Sequence, residues 1–132
     1  MKHHILKLGL LVALLSIIAS CHKEKQTASD LIVGKWEWIK TIIPYGDQVS
    51  NPQTTGFSQT LEFLSNGKMQ EYRNDLLINT SDYAVEINSS NPQDYLLTNS
   101  SILSSHFYFK SDTLIFSEAY VDGPVYYYLP KK

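Results

Sequence analysis

The sequence predicts an all-β protein, most simply a small up-and-down antiparallel barrel of about eight strands. Beyond Leu31 there is no long stretch with helical periodicity. Short runs rich in Val, Ile, Tyr, Phe and Trp are instead separated by Asn, Gly, Ser, Pro and Asp. A flat sheet of that many strands would leave two open edges, and closure into a barrel removes them. A two-sheet β-sandwich built from the same strands is the alternative.

The chain begins with a segment typical of a signal peptide. Lys2 and Lys7 supply a basic start, residues 8–18 are mainly apolar, and small residues precede Cys21, the only cysteine of the chain. A membrane-spanning helix needs about 20 apolar residues, so this run is too short to serve as one. We therefore predict that residues 1–20 are removed.

The tetrapeptide Ile-Ala-Ser-Cys that ends at Cys21 resembles the lipobox of bacterial type II lipoprotein signals. The resemblance implies acylation of Cys21, a polar tether over residues 21–30, and a cell-envelope protein anchored in a membrane by lipid, most simply the outer membrane. Lys23 and Glu24 resemble the surface-export signal of Bacteroidetes lipoproteins, and retention on the periplasmic face is the alternative. An ordinary secretory signal cut near Ser20 is a further alternative.

Composition bounds the remaining chain, residues 31–132, to one small domain with a packed core. It has no cysteine for a disulfide, whereas the full chain contains 9 Tyr, 5 Phe and 2 Trp. The formal net charge of the full chain is −2, and Arg73 is its single arginine. Nucleic-acid binding requires clustered cations, so the composition argues against it.

The first predicted strand covers residues 34–43. Trp36 and Trp38 alternate with Lys35 and Glu37, which is typical of a half-buried strand. The residues that follow, from Pro44 to position 56, are expected to form a long loop.

The middle of the chain predicts a hairpin followed by two further strands. Residues 57–64 and 68–75 flank an Asn-Gly pair at Asn66, the strongest short hairpin signal. Residues 76–87 form the next predicted strand, with an irregular start at 79–82, and residues 94–98 form a weaker one.

The last third predicts three antiparallel strands joined by tight turns. They cover residues 105–110, 113–120 and 125–129, with turns at Ser111 and at Asp122. This arrangement is a meander, the repeating unit of an up-and-down barrel.

The opening Gly34-Lys35-Trp36 resembles the Gly-x-Trp motif at the first strand of lipocalins and related barrels. Residues 61–68 and 112–115 are also similar to segments of small bacterial lipocalin-like lipoproteins. The resemblance implies a barrel closed at one end by Trp36 and an interior suited to a small hydrophobic ligand. The chain differs from lipocalins in its short length and in lacking an arginine near the end of its last strand.

No motif in the sequence indicates an enzyme, a metal site or a cofactor. His106 is the only histidine of the domain, and we interpret it as a strand residue at the barrel rim. Glu62, Glu71, Glu86 and Glu118 lie in predicted strands and are expected to face solvent. No Gly-rich phosphate loop or nucleophile elbow is present.

The aromatic residues are the best indication of function. A cup of aromatic rings with hydroxyls at its mouth suits a small apolar molecule. The predicted ligand-binding residues are Trp36, Trp38, Tyr108, Tyr120 and Tyr127. The alternative is an envelope interaction or inhibitor module without an internal ligand, whose loops at 44–56 and 88–104 or tyrosines contact another protein.

Overall fold

The computed structural model describes residues 27–46, 48–99, 105–118 and 123–132. Cys21, Tyr120 and the predicted signal peptide lie outside these ranges. The described chain begins with a 3₁₀ helix at Ala28–Leu31 and contains a short helix, α1, at Pro52–Thr55. Its strands are β1 Gly34–Ile43, β2 Gln48–Ser50, β3 Gln59–Phe63, β4 Lys68–Arg73, β5 Leu76–Ile87, β6 Tyr95–Asn99, β7 Ser105–Lys110, β8 Thr113–Ser117 and β9 Val125–Pro130.

The strands form a closed antiparallel barrel. From β3 to β9 each strand pairs with the next along the chain, and β9 pairs back onto β1. Strand β1 pairs with β9 along one edge, whereas its other edge pairs with β3 at Gly34–Glu37 and with β2 at Thr41–Ile43. Eight strands therefore close the barrel and β2 is an additional strand, which confirms the predicted barrel over the sandwich.

The predicted loop at residues 44–56 contains β2 and α1, so the expectation of one long loop was wrong. The short helix is specified locally. The Asn51 side chain accepts a hydrogen bond from the Thr54 backbone N–H at 2.9 Å, Pro52 occupies the first turn, and Gly56 ends the helix with a φ of 74°. Each of these residues suits its position in a capped helix.

The central hairpins follow the sequence pattern with two adjustments. Gly67 adopts a φ of 78° in the predicted turn between β3 and β4. The next turn consists of Asn74 and Asp75, both with positive φ, so β4 ends before them. In the pairing of β4 with β5, Glu71 pairs with Asn79 and Tyr72 pairs with Leu77, which leaves Ile78 as an extra residue without a partner in the register. The irregularity expected at 79–82 therefore lies at Ile78.

One end of the barrel is plugged by the start of the domain, and we call it the closed end. It contains the beginning of β1 and the turns after β3, β5 and β7, whereas the opposite, open end contains the turn after β4 and the last residues of β8. Ile32 is fully buried there, and the Trp36 Nε1–H donates a hydrogen bond to the Ile32 carbonyl at 2.8 Å.

Aromatic rings fill the barrel above this plug. Trp36 lies 5.8 Å from Phe109, Phe63 meets Tyr83 edge-on at 5.1 Å, and Phe107 contacts Phe109 at 5.9 Å between ring centroids. Such contacts stabilise a core beyond the burial of apolar area.

Replacement of Trp36 by alanine should lower the free energy of unfolding by about 3–5 kcal/mol, because it leaves a cavity and removes the bond to Ile32. Trp36→Phe should cost clearly less, since it keeps a ring at the site. Glu37→Ala, on the exposed face of the same strand, is the control and should change stability little. Urea unfolding measures all three, and an unchanged midpoint for Trp36→Ala would contradict the plug.

Candidate functional site

The barrel interior contains a cavity of about 170 Å³ on its open-end side. Its apolar wall is formed by four side chains, Leu61, Met69, Leu97 and Phe116. Five polar side chains complete the lining: Gln59, Ser105, Glu118, Tyr126 and Tyr128. An apolar cavity of about 150 Å³ is large enough for benzene, whereas sites for drug-sized molecules usually exceed about 300 Å³. The space therefore suits a molecule of about one ring.

Strand registers determine which side chains reach this space. In β3, Gln59, Leu61 and Phe63 share the inner face. Strand β4 places Glu71 directly opposite Leu61, on the same side of the sheet as the inner-face residues. The Gln59 Nε2 group donates a hydrogen bond to Glu71 Oε1 at 2.7 Å. The expectation that Glu71 faces solvent was therefore wrong, because its cross-strand partner, Leu61, belongs to the inner face.

The last two strands contribute the tyrosines of the cavity. Tyr126 pairs with Phe116 and Tyr128 pairs with Leu114, so both share the inner face with buried apolar residues. The side chain of Glu118, just after β8, lines the same space. Glu118 had also been expected to face solvent. It is exposed as a residue, but its position at the open end lets it border the cavity.

The tyrosine hydroxyls at the cavity hold their protons strongly. Burial, followed by the charge of Glu118 and a hydrogen bond to it, raises the pKa of Tyr126. Tyr128 is only 4% exposed, and burial, with smaller effects from Tyr126 and Glu71, raises its pKa well above the usual range. At neutral pH both residues therefore present neutral O–H groups, which can donate or accept hydrogen bonds.

The two predicted tryptophans lie in the core, beside the cavity lining. Trp36 belongs to the closed-end plug. Trp38 stacks on Phe57 with ring centroids 5.7 Å apart, and its Nε1–H donates to the Thr41 hydroxyl at 2.9 Å. Neither indole is among the side chains found at the cavity wall.

The predicted tyrosines on β7 and β9 belong to a row on the outer face. Tyr108 pairs with Ile115, and Ile115 pairs with Tyr127. The Lys40 ammonium lies 4.6 Å from the centre of the Tyr127 ring. Tyr108 and Tyr127 therefore lie on the face of the sheet that points away from the cavity, whereas Tyr126 and Tyr128 line it. Tyr120 lies outside the described residues.

His106 and Glu62 also lie on the outer face. His106 pairs with Leu96 and Ser117, and its Nδ1 is 3.9 Å from Asp94 Oδ2. Glu62 forms an ion pair with Lys35 at 3.3 Å, as expected for a solvent-facing carboxylate. Within the described ranges, no three His, Cys, Asp or Glu side chains are grouped so that they could hold a metal ion. The helices in the same ranges are all too short or too polar to cross a membrane.

Burial of Tyr128 predicts a loss of stability at high pH. An unfolded tyrosine ionises near pH 10, whereas folded Tyr128 keeps its proton above that pH. Stability should thus be unaffected by this group below pH 10 and fall above it, by up to about 1.4 kcal/mol per pH unit for each such group.

Urea unfolding of wild type and Tyr128→Phe between pH 8 and pH 11 tests this expectation. The variant should lose less stability than wild type above pH 10. Tyr45→Phe, at a tyrosine that is 75% exposed, should follow wild type. Equal slopes for wild type and Tyr128→Phe would show that the buried phenol does not govern the effect.

Comparison of the chain with protein-family models, with curated proteins and with solved structures finds no match in any of the three.

Proposed function

We propose that this protein is a lipid-anchored, lipocalin-like binding protein of the cell envelope that holds a small, mainly hydrophobic molecule inside its barrel. The observation that carries the proposal is the unequal filling of the interior. Aromatic rings fill the closed-end side, whereas the open-end side retains a space of about 170 Å³ with Leu61, Met69, Leu97 and Phe116 in its wall.

An interior of this kind supports binding because the apolar side chains of its wall have no protein atoms packed against them on the cavity side, so van der Waals contacts there are left unmade. A ligand that contacts Phe116 and Leu97 would supply some of those contacts. The polar side chains at the open end would then fix its orientation, as in most small-molecule sites.

The alternative, an interaction module without an internal ligand, is favoured by one observation. Leu76, Leu77 and Ile78, at the start of β5 near the open end, are 71%, 52% and 49% exposed. Three adjacent exposed apolar side chains are typical of a protein contact. This alternative predicts that the barrel takes up no small probe.

Toluene is a suitable probe because it is close to the cavity in size. We expect it to shift the methyl resonances of Leu61, Met69 and Leu97 in a saturable manner, with a Kd in the millimolar range or below. Leu97→Phe should weaken binding at least tenfold by occupying the space.

Leu96→Phe is the matched control, since it makes the same change at the neighbouring position on the opposite face of β6. It should leave the Kd unchanged. Thermal unfolding of both variants verifies that each is folded, because overpacking alone can cost about 1–3 kcal/mol. Absence of any saturable shift in wild type would refute ligand binding and favour the interaction module.

The anchor is proposed from the sequence around Cys21. Mass spectrometry of the full chain expressed in a bacterial host should find a mature protein that begins at an acylated Cys21. Cys21→Ser should abolish the acylation and release the protein from membranes. Ala19→Gly, which keeps a small residue before the cysteine, is the control and should still be acylated. A free thiol at Cys21 in the wild-type protein would refute the anchor.

A further inference from the structure

We propose that the molecule bound in the barrel carries a cationic amine on an apolar body of about one ring. This inference rests on the proposed ligand-binding function and specifies its chemical class. The wall of the cavity provides apolar contact, and the polar groups toward its open end are arranged for a positive charge.

Two carboxylates approach the cavity from opposite sides of the barrel. Glu118 follows β8 and lines the cavity directly, whereas Glu71 lies on β4 and is held 2.7 Å from Gln59, which lines it. Around the closed ring of eight strands, β4 and β8 are separated by three strands on either side. A group at the centre of the open end would thus lie between the two negative charges.

Neither carboxylate is neutralised by a described cation. Glu71 accepts a hydrogen bond from the neutral amide of Gln59, and Glu118 lies close enough to the neutral hydroxyl of Tyr126 to raise its pKa. The ion pairs found in the described ranges involve other carboxylates, those of Glu62, Asp82, Asp94 and Asp75.

The one arginine near this end is occupied elsewhere. Arg73 pairs with Gln59 across the strands, but its guanidinium lies 4.6 Å from the centre of the Phe57 ring. Lys, Arg and His are absent from the described lining of the cavity. A ligand with a carboxylate or phosphate would therefore meet repulsion without a compensating partner, which disfavours anionic molecules.

The remaining polar atoms suit the hydrogen bonds of an ammonium group. An ammonium has three donors and no acceptor, so it needs oxygen acceptors around it. The Tyr126 and Tyr128 hydroxyls and the two carboxylates supply them. Tyr128 is of particular interest, because it is almost fully buried and lines the cavity, so its hydroxyl can meet a bound polar head without competition from bulk water.

Three probes of nearly equal size distinguish the head group: benzylamine, benzyl alcohol and benzoate, each titrated at pH 7 and low salt with toluene as the reference. We expect benzylamine to bind at least tenfold more tightly than benzyl alcohol, and benzoate to bind most weakly. The preference for benzylamine should decrease in 0.5 M NaCl, because salt screens the interaction between charges.

Charge-neutral variants test whether the two carboxylates cause the preference for benzylamine. Glu118→Gln and Glu71→Gln should each reduce the ratio of benzyl alcohol to benzylamine Kd, and the double variant should bring it close to one. Glu86→Gln, at an exposed position of β5, is the control and should keep the wild-type ratio. Thermal unfolding checks folding, and if Glu71→Gln is unfolded, Glu118→Gln alone decides.

The outcomes separate the two proposals. Binding of toluene and benzyl alcohol without any preference for benzylamine, or a preference that persists in the double variant, would overturn the amine inference and leave the binding function intact. Failure of toluene, benzyl alcohol and benzylamine alike to bind would overturn the binding function itself.

Discussion

The pairing of the first strand with the last is the constraint on which the rest of the structure depends. Strand β1 pairs with β9 from Trp36 to Ile42, and only this pairing converts a sheet with two edges into a closed barrel. It places Trp38 directly opposite Tyr128 and therefore fixes which residues of β9 face inward. The composition of the cavity follows from that register, since a shift by one residue would exchange its tyrosines with those of the outer face.

The interior then divides according to side-chain size and polarity. At the closed end, Trp36 and the phenylalanines are large enough to fill the barrel, and Ile32 seals it. Toward the open end, aliphatic side chains such as Leu61 and Leu97 leave space, and polar residues replace apolar ones. Burial of an unpaired carboxylate is costly, so Glu118 stays exposed at the open end, and half-buried Glu71 accepts a hydrogen bond from Gln59.

Much of this fold could be predicted from the sequence, because its signals are local. Alternation from Gly34 to Trp38, the Asn-Gly turn at Asn66 and the final meander each specify a short segment. The cavity could not be predicted as readily. In the run from Tyr126 to Tyr128 every position is a tyrosine, so no alternation of polarity tells the inner face from the outer one. The register shift between Trp38 and Lys40 also changes the parity of β1 in a way that no local pattern reveals.

The chain enters the barrel beneath Trp36, and this entry point defines an orientation. Thr27, the first described residue, lies at the plugged pole, opposite the one where Gln59 and Glu118 border the interior. The attachment point of the preceding chain and the entrance to the cavity therefore lie at opposite poles, so a group joined ahead of Thr27 need not compete with a guest molecule for the same opening.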